Sequence, residues 1–170
     1  MKIYVARAMS GRTKEEVVKE AIYDKRHLEL AGFIVLDPVT SEGIEPKKET
    51  LQASYEQMLE FWKRDKQMIR EAHLVFDMTP HMKSEGVAHE IGYARYHLWK
   101  KVIRVYPLGQ LPNPASVAYF EDDYLTDSII DAIGEAYRTH GTLWNRIKWR
   151  FNLYKRCWLK SIWTRLKEWK

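Results

Sequence analysis

Cysteine is nearly absent from the chain. Cys157 stands alone, which excludes an internal disulfide framework and fits a reducing compartment. No run of about 18 apolar residues occurs, so no stretch is suited to crossing a bilayer. The opening residues lack an apolar segment followed by a small-residue cleavage site, so no secretory leader is expected and the cytoplasm is the expected location. The 8 glycines form neither a GxGxxG nor a Walker spacing, which excludes the common dinucleotide and P-loop signatures. His73, His81, His89 and His97 come without an HExxH or Cys/His spacing, so no metal site is expected.

What is present describes a folded globular chain of 170 residues, 45% hydrophobic and 30% charged. Apolar strand-like runs alternate with helical periodicity. Lys2–Ala6 reads as a buried first strand, and residues 7–12 as a loop of small residues and cations. Thr13 opens a helix with Glu16 three residues on, the spacing of a capping box. Val17, Val18, Ala21, Ile22, Leu28 and Leu30 give it an apolar face, and Gly32 ends it. Residues 33–36 form a second strand, completing a parallel βαβ unit. Residues 37–50 read as an irregular loop over the C-terminal edge of the sheet.

Two helices are expected next, over 51–63 with Tyr55, Met58, Leu59 and Trp62 on one face, and over 65–72, headed by Asp65. Strands over 74–76 and 102–106 enclose a helix over 85–99. Pro107 and Pro114 bracket a break, and a last helix covers 125–137 with Ile129, Ile130 and Ile133 inward. This alternation predicts an α/β fold: a doubly wound, Rossmann-like or flavodoxin-like, mainly parallel sheet of four to five strands with flanking helices.

The composition changes from Leu143. Trp144, Ile147, Phe151, Tyr154, Trp158, Ile162, Leu166 and Trp169 recur at helical spacing among Lys and Arg. This predicts a domain over 1–141 followed by a basic amphipathic helical extension over 142–170. The extension from Leu143 carries nine cations and one acid, a net +8, so the chain total of +5 leaves −3 for residues 1–142. The basic character therefore belongs to the extension. Its partners are its own domain or a sister subunit, or else an anionic membrane surface on which the protein sits peripherally; nucleic acid is the least favoured.

The stretch that gathers chemistry runs from Asp65 to Ala94. A strand, a loop of turn residues and a helix bearing Glu90 make the usual setting of a ligand site in an open α/β sheet. Glu90 reads as just inside a helix whose N-terminal amides favour its ionised form, hence a nucleophile. Position alone also allows a surface glutamate in a cap or ion pair. Asp65 is a second carboxylate for the same edge, or simply an acid at a helix start. Tyr4 is either a core tyrosine or the residue whose hydroxyl orients Glu90. Arg7, Ser10, Gly11 and Arg12 precede a helix N-terminus and suit a phosphate.

Taken together, three stretches resemble the nucleoside 2-deoxyribosyltransferase superfamily, which includes the 2′-deoxynucleoside 5′-monophosphate N-hydrolases. They are Ile3-Tyr4-Val5-Ala6 with Ser10-Gly11-Arg12, Arg64-Asp65 ahead of residues 68–75, and Ser84 to Ala94 with Gly86, Glu90, Ile91 and Gly92. The resemblance covers residues 2–106, and the last stretch is the specific one. It implies that Glu90 attacks the anomeric carbon, that Asp65 contacts or protonates the departing base, and that Tyr4 positions Glu90. Ser84 and Gly86 join the binding residues. Base-exchanging members usually carry aspartate where Ser84 stands, and the monophosphate hydrolases serine, which favours a nucleotide. A homo-oligomer is implied, and the chemistry needs no metal or organic cofactor. Three readings follow: an N-glycosidic hydrolase of (2′-deoxy)nucleoside monophosphates, a transferase exchanging bases, and a non-catalytic nucleotide-binding module whose extension docks to a membrane or protein.

Overall fold

The computed structural model describes residues 1–9, 11–41, 54–106 and 124–141. Five strands form one wholly parallel sheet: β1 (Lys2–Ala6), β2 (Ile34–Leu36), β3 (Leu74–Asp77), β4 (Val102–Val105) and β5 (Tyr124–Thr126). Their order is β2-β1-β3-β4-β5. Tyr4 lies opposite Leu36 on one side and Val75 on the other, so β1 is central to the register. The sheet reverses its order between β1 and β3, the point where α/β sheets open a crevice at the carboxyl ends of their strands.

Alternation along β1 divides the core. Ile3 and Val5 pack with Phe33, Phe76 and Ile103 under α1 (Lys14–Leu30) and α4 (Ile129–His140). Tyr4 and Ala6 pack with Ile69, Val75, Val87 and Ile91 under α2 (Tyr55–Glu71) and α3 (Glu85–Gly92). A parallel sheet buried on both faces needs apolar residues at consecutive positions, and Ile3, Tyr4, Val5 and Ala6 are all fully buried. Burying Ile3 and Val5 contributes roughly 1.5–3 kcal/mol each.

Local signals set the helix ends. Thr13 and Glu16 form the expected capping box, at 3.3 and 3.0 Å. Gly32 has φ +93, which a glycine tolerates, and turns the chain into β2 beneath the Tyr137 hydroxyl. Ser54 and Gln57 cap α2 in the same reciprocal way.

Several elements depart from the sequence reading. Asp65 does not head a helix: α2 runs unbroken through it, because Arg64 is a good helix former and the true cap lies at Ser54. A fifth strand, Tyr124–Thr126, stands where a helix starting at 125 was expected; the helix begins after Ser128, whose side chain accepts the Asp131 amide at 3.3 Å. The helix after Ser84 changes at Tyr93 into a five-residue π-helical segment (Tyr93–His97), and Trp99 has φ +53. Tyr55 and Met58 are exposed, as are Ile22, Leu30 and Ile130, so those apolar faces are narrower than their spacing suggests. The extension over 142–170, the break over 107–114 and most of the loop over 37–50 lie outside the described residues, as does Ser10.

Candidate active site

Tyr4, Asp65 and Glu90 come together. Tyr4 points from the middle of β1 into the layer beneath α2 and α3 and is fully buried. Asp65 lies about three turns along α2, with its side chain 15% exposed. Glu90 is the sixth residue of α3. The Glu90 residue is partly exposed, yet its Oε2 is shielded from solvent.

The electrostatics differ from the sequence expectation. Glu90 stands beyond the first turn of α3, out of reach of the free amides there. Burial pushes its pKa well above the ordinary value of 4.5; Asp65, Asp77 and Asp37 add to the rise, and the Tyr4 hydroxyl opposes it. Burial also raises Asp65, against the pull of Arg64, whose Nη2 donates to Asp65 Oδ1 at 3.2 Å. Tyr4 is raised by burial first and by Glu90 and Asp65 next. Tyr4 and Glu90 act on each other electrostatically without a well-formed hydrogen bond: Tyr4 Oη and Glu90 Oε2 are both buried and unpartnered.

Two acids of this cluster escaped the sequence reading. Asp37 follows β2 and Asp77 ends β3, and both are buried. Their signal was an acid directly after a buried strand, where a parallel sheet presents ligand-binding groups.

The remaining binding candidates are distributed around the same edge. Ser84 caps α3, its Oγ accepting the Val87 amide at 3.4 Å, so it has a structural role and keeps its hydroxyl hydrogen. Six residues of helix set it roughly 9 Å from Glu90 along the axis. Gly86 is exposed in the first turn, and a Cβ there would meet only Ser84 Oγ, at 3.9 Å. Gly11, with φ +77, and Arg12 lie on the β1–α1 loop. Arg12 is engaged with Glu20 at 2.5 Å. Arg7 continues the side of Ile3 and Val5 and so faces α1. Its guanidinium is buried against Asp24 at 2.9 Å and Asp37 and Glu20 at 3.6 Å. That ion cluster holds Arg7 in the fold, on the face of the sheet away from Tyr4. Among the described residues, no three His, Cys, Asp or Glu side chains are grouped to hold a metal ion. Nor is any helix among them long and apolar enough to cross a membrane.

No family model matches the chain, and no curated protein is similar to it in sequence. Solved structures do match. A 2-deoxyribosyltransferase from Bacillus psychrosaccharolyticus shares 23% identity and a TM-score of 0.56, covering 78% of this chain and 90% of its own. A conserved protein from Enterococcus faecalis V583 gives 15% and 0.61, over 81% of this chain and 98% of its own. A 2-desoxiribosyltransferase from Leishmania mexicana gives 16% and 0.50, over 83% and 99%. The chain therefore has the α/β fold of solved 2-deoxyribosyltransferases. This agrees with the resemblance carried by Ser84–Ala94.

Proposed function

We propose that this protein hydrolyses the N-glycosidic bond of a 2′-deoxynucleoside 5′-monophosphate, releasing the free base and 2-deoxyribose 5-phosphate. The observation that carries this reading is the buried grouping of Glu90, Asp65 and Tyr4 at the switch point of the sheet. Two carboxylates with raised pKa values suit a reaction in which one is charged and the other holds a proton.

Ionised Glu90 attacks C1′ of the sugar. The C1′–N bond breaks, its electron pair leaves with the base, and protonated Asp65 supplies the proton. A water then adds to C1′, the ester bond to Glu90 breaks, and Asp65 recovers a proton from that water. The logic is that of a retaining glycosidase. Tyr4 stabilises the ionised Glu90 before attack and as the ester breaks. Glu90 and Asp65 titrate as a coupled pair, and the productive state has the proton on Asp65.

Ser84 supports a phosphate-bearing substrate, since its hydroxyl can donate to a phosphate oxygen at the start of a helix. A second reading, base exchange between nucleosides, is favoured by the two solved neighbours described as 2-deoxyribosyltransferases. Incubation with a panel of nucleotides and nucleosides, with and without a second free base, separates the two. Base release without an acceptor is the expected result; turnover that requires an acceptor base supports the transferase, and none on any substrate removes both readings.

A further inference from the structure

The loops after β1 and β3 leave neighbouring strands and run to opposite faces of the sheet. A short series of buried polar contacts ties them together. Arg104 on β4 is the register partner of Asp77 on β3. Its Nη1 donates to Asp77 Oδ2 at 2.8 Å. Asp77 Oδ1 accepts the Thr79 amide at 3.1 Å. Thr79 Oγ1 accepts the Ala8 amide at 2.7 Å, across to the other loop. The Met78 amide continues the ladder to Ala6 O at 3.1 Å. Ala8, Asp77, Thr79 and Arg104 are each no more than 2% exposed.

Packing alone does not require this arrangement. Burying an ion pair carries a large desolvation cost, and an apolar pair of similar volume often serves stability as well or better. What the charges add is direction: Arg104 fixes the carboxylate plane, and the carboxylate fixes Thr79.

We propose that Asp77 is a positioning residue for substrate binding: braced by Arg104, it sets Thr79 and thereby the spacing of the two loops that flank the phosphate end of the substrate. This rests on the nucleotide reading of the site. One loop carries Gly11 and Arg12; the other leads into Ser84 and Gly86. The same brace stands close enough to Glu90 for the Asp77 charge to raise the Glu90 pKa. Misplacement of a holding group by about 1 Å is costly to binding and reaction alike.

The test uses the full chain carrying Glu90→Gln, so that ligand is not consumed. Each of the four 2′-deoxynucleoside 5′-monophosphates is titrated by calorimetry into this parent and into versions with Thr79→Val or Thr79→Ser added. Valine keeps the shape and removes the acceptor for Ala8; serine restores it. The expected result is about tenfold weaker binding with valine and recovery to within about twofold with serine. Unchanged affinity in Thr79→Val, with only its melting temperature lowered, would mean a purely structural contact and overturn the proposal. Should Thr79→Val fail to fold, Asp77→Asn replaces it: it drops the ion pair and keeps an acceptor for Thr79. Weakened binding is again expected, and unchanged affinity overturns the proposal.

Base release by the unaltered chain is measured alongside. Weaker binding in Thr79→Val without any base release upholds the brace and removes the hydrolytic reading. Base release with unaltered affinity does the reverse. Failure of the parent to bind any of the four nucleotides, with no base release by the unaltered chain, overturns both.

Discussion

The hydroxyl of Tyr4 and the carboxylate of Glu90 act on each other in the interior: the carboxylate raises the phenol, and the phenol favours the ionised carboxylate against a stronger penalty from burial. Tyr4→Phe removes that support and little else, because Tyr4 Oη has no well-formed partner to lose. The expected outcome is a kcat lower by about tenfold or more, with the acid limb of the pH profile moved upward. The folded state should hold within about 1 kcal/mol. Steady-state kinetics across pH, beside thermal melts, check this.

The rate should depend on pH through both carboxylates. Glu90 must be ionised, and its pKa is raised, so the acid limb of kcat/KM should lie above the ordinary glutamate value of 4.5. Asp65 must hold its proton for the departing base, and burial raises its pKa too, so its deprotonation sets the alkaline limb. Asp65→Asn should therefore remove the alkaline limb and lower kcat, most for bases that leave poorly. An alkaline limb that survives in Asp65→Asn would show that Asp65 is not the acid.

Burial of Glu90 has an opposite consequence for stability. A folded pKa raised above the unfolded one gives stability that is complete below the unfolded pKa and lost as pH rises through the folded one. Glu90→Gln mimics the protonated form at all pH values. The variant should melt above the unaltered chain at neutral pH, with the gap closing as pH falls toward 4.5. Calorimetric melts from acid to neutral pH read this directly.

Ser84→Asp separates binding from folding. Aspartate is as good an N-cap as serine, so α3 keeps its first-turn acceptor. It would also set a carboxylate against a phosphate. KM for monophosphates should rise by on the order of tenfold or more, with a smaller change for nucleosides and little change in melting temperature. Equal losses on both substrate types would remove Ser84 from the phosphate site.

Much of this was legible because the relevant signals are local. The run Ile3-Tyr4-Val5-Ala6 announces a strand buried on both faces. Thr13 with Glu16, and Gly32 with its positive φ, mark helix ends through backbone chemistry that neighbours cannot override. Glu90 was found by its place in Ser84–Ala94. The strand at Tyr124–Thr126 was missed because its three residues carry too little periodicity to compete with the helix that follows. Asp65 looked like a helix start because acids favour that position, whereas tertiary placement in mid-helix leaves no such mark. Arg7 reads as a free cation in the sequence, and only the packing of α1 shows it held by Asp24 and Asp37. The sign of the Glu90 pKa shift was missed for the same reason: burial comes from packing against residues distant in sequence, and the charge of Asp65, on another helix, adds to it.

The central claim is that Glu90 is the nucleophile, and turnover by Glu90→Gln tests it most directly. The amide keeps the shape but can neither capture C1′ nor stabilise its developing positive charge. Release of free base from the preferred nucleotide should fall by on the order of a thousandfold or more, while the melting temperature at neutral pH holds or rises. A folded Glu90→Gln protein that releases base at a near-normal rate would contradict the account.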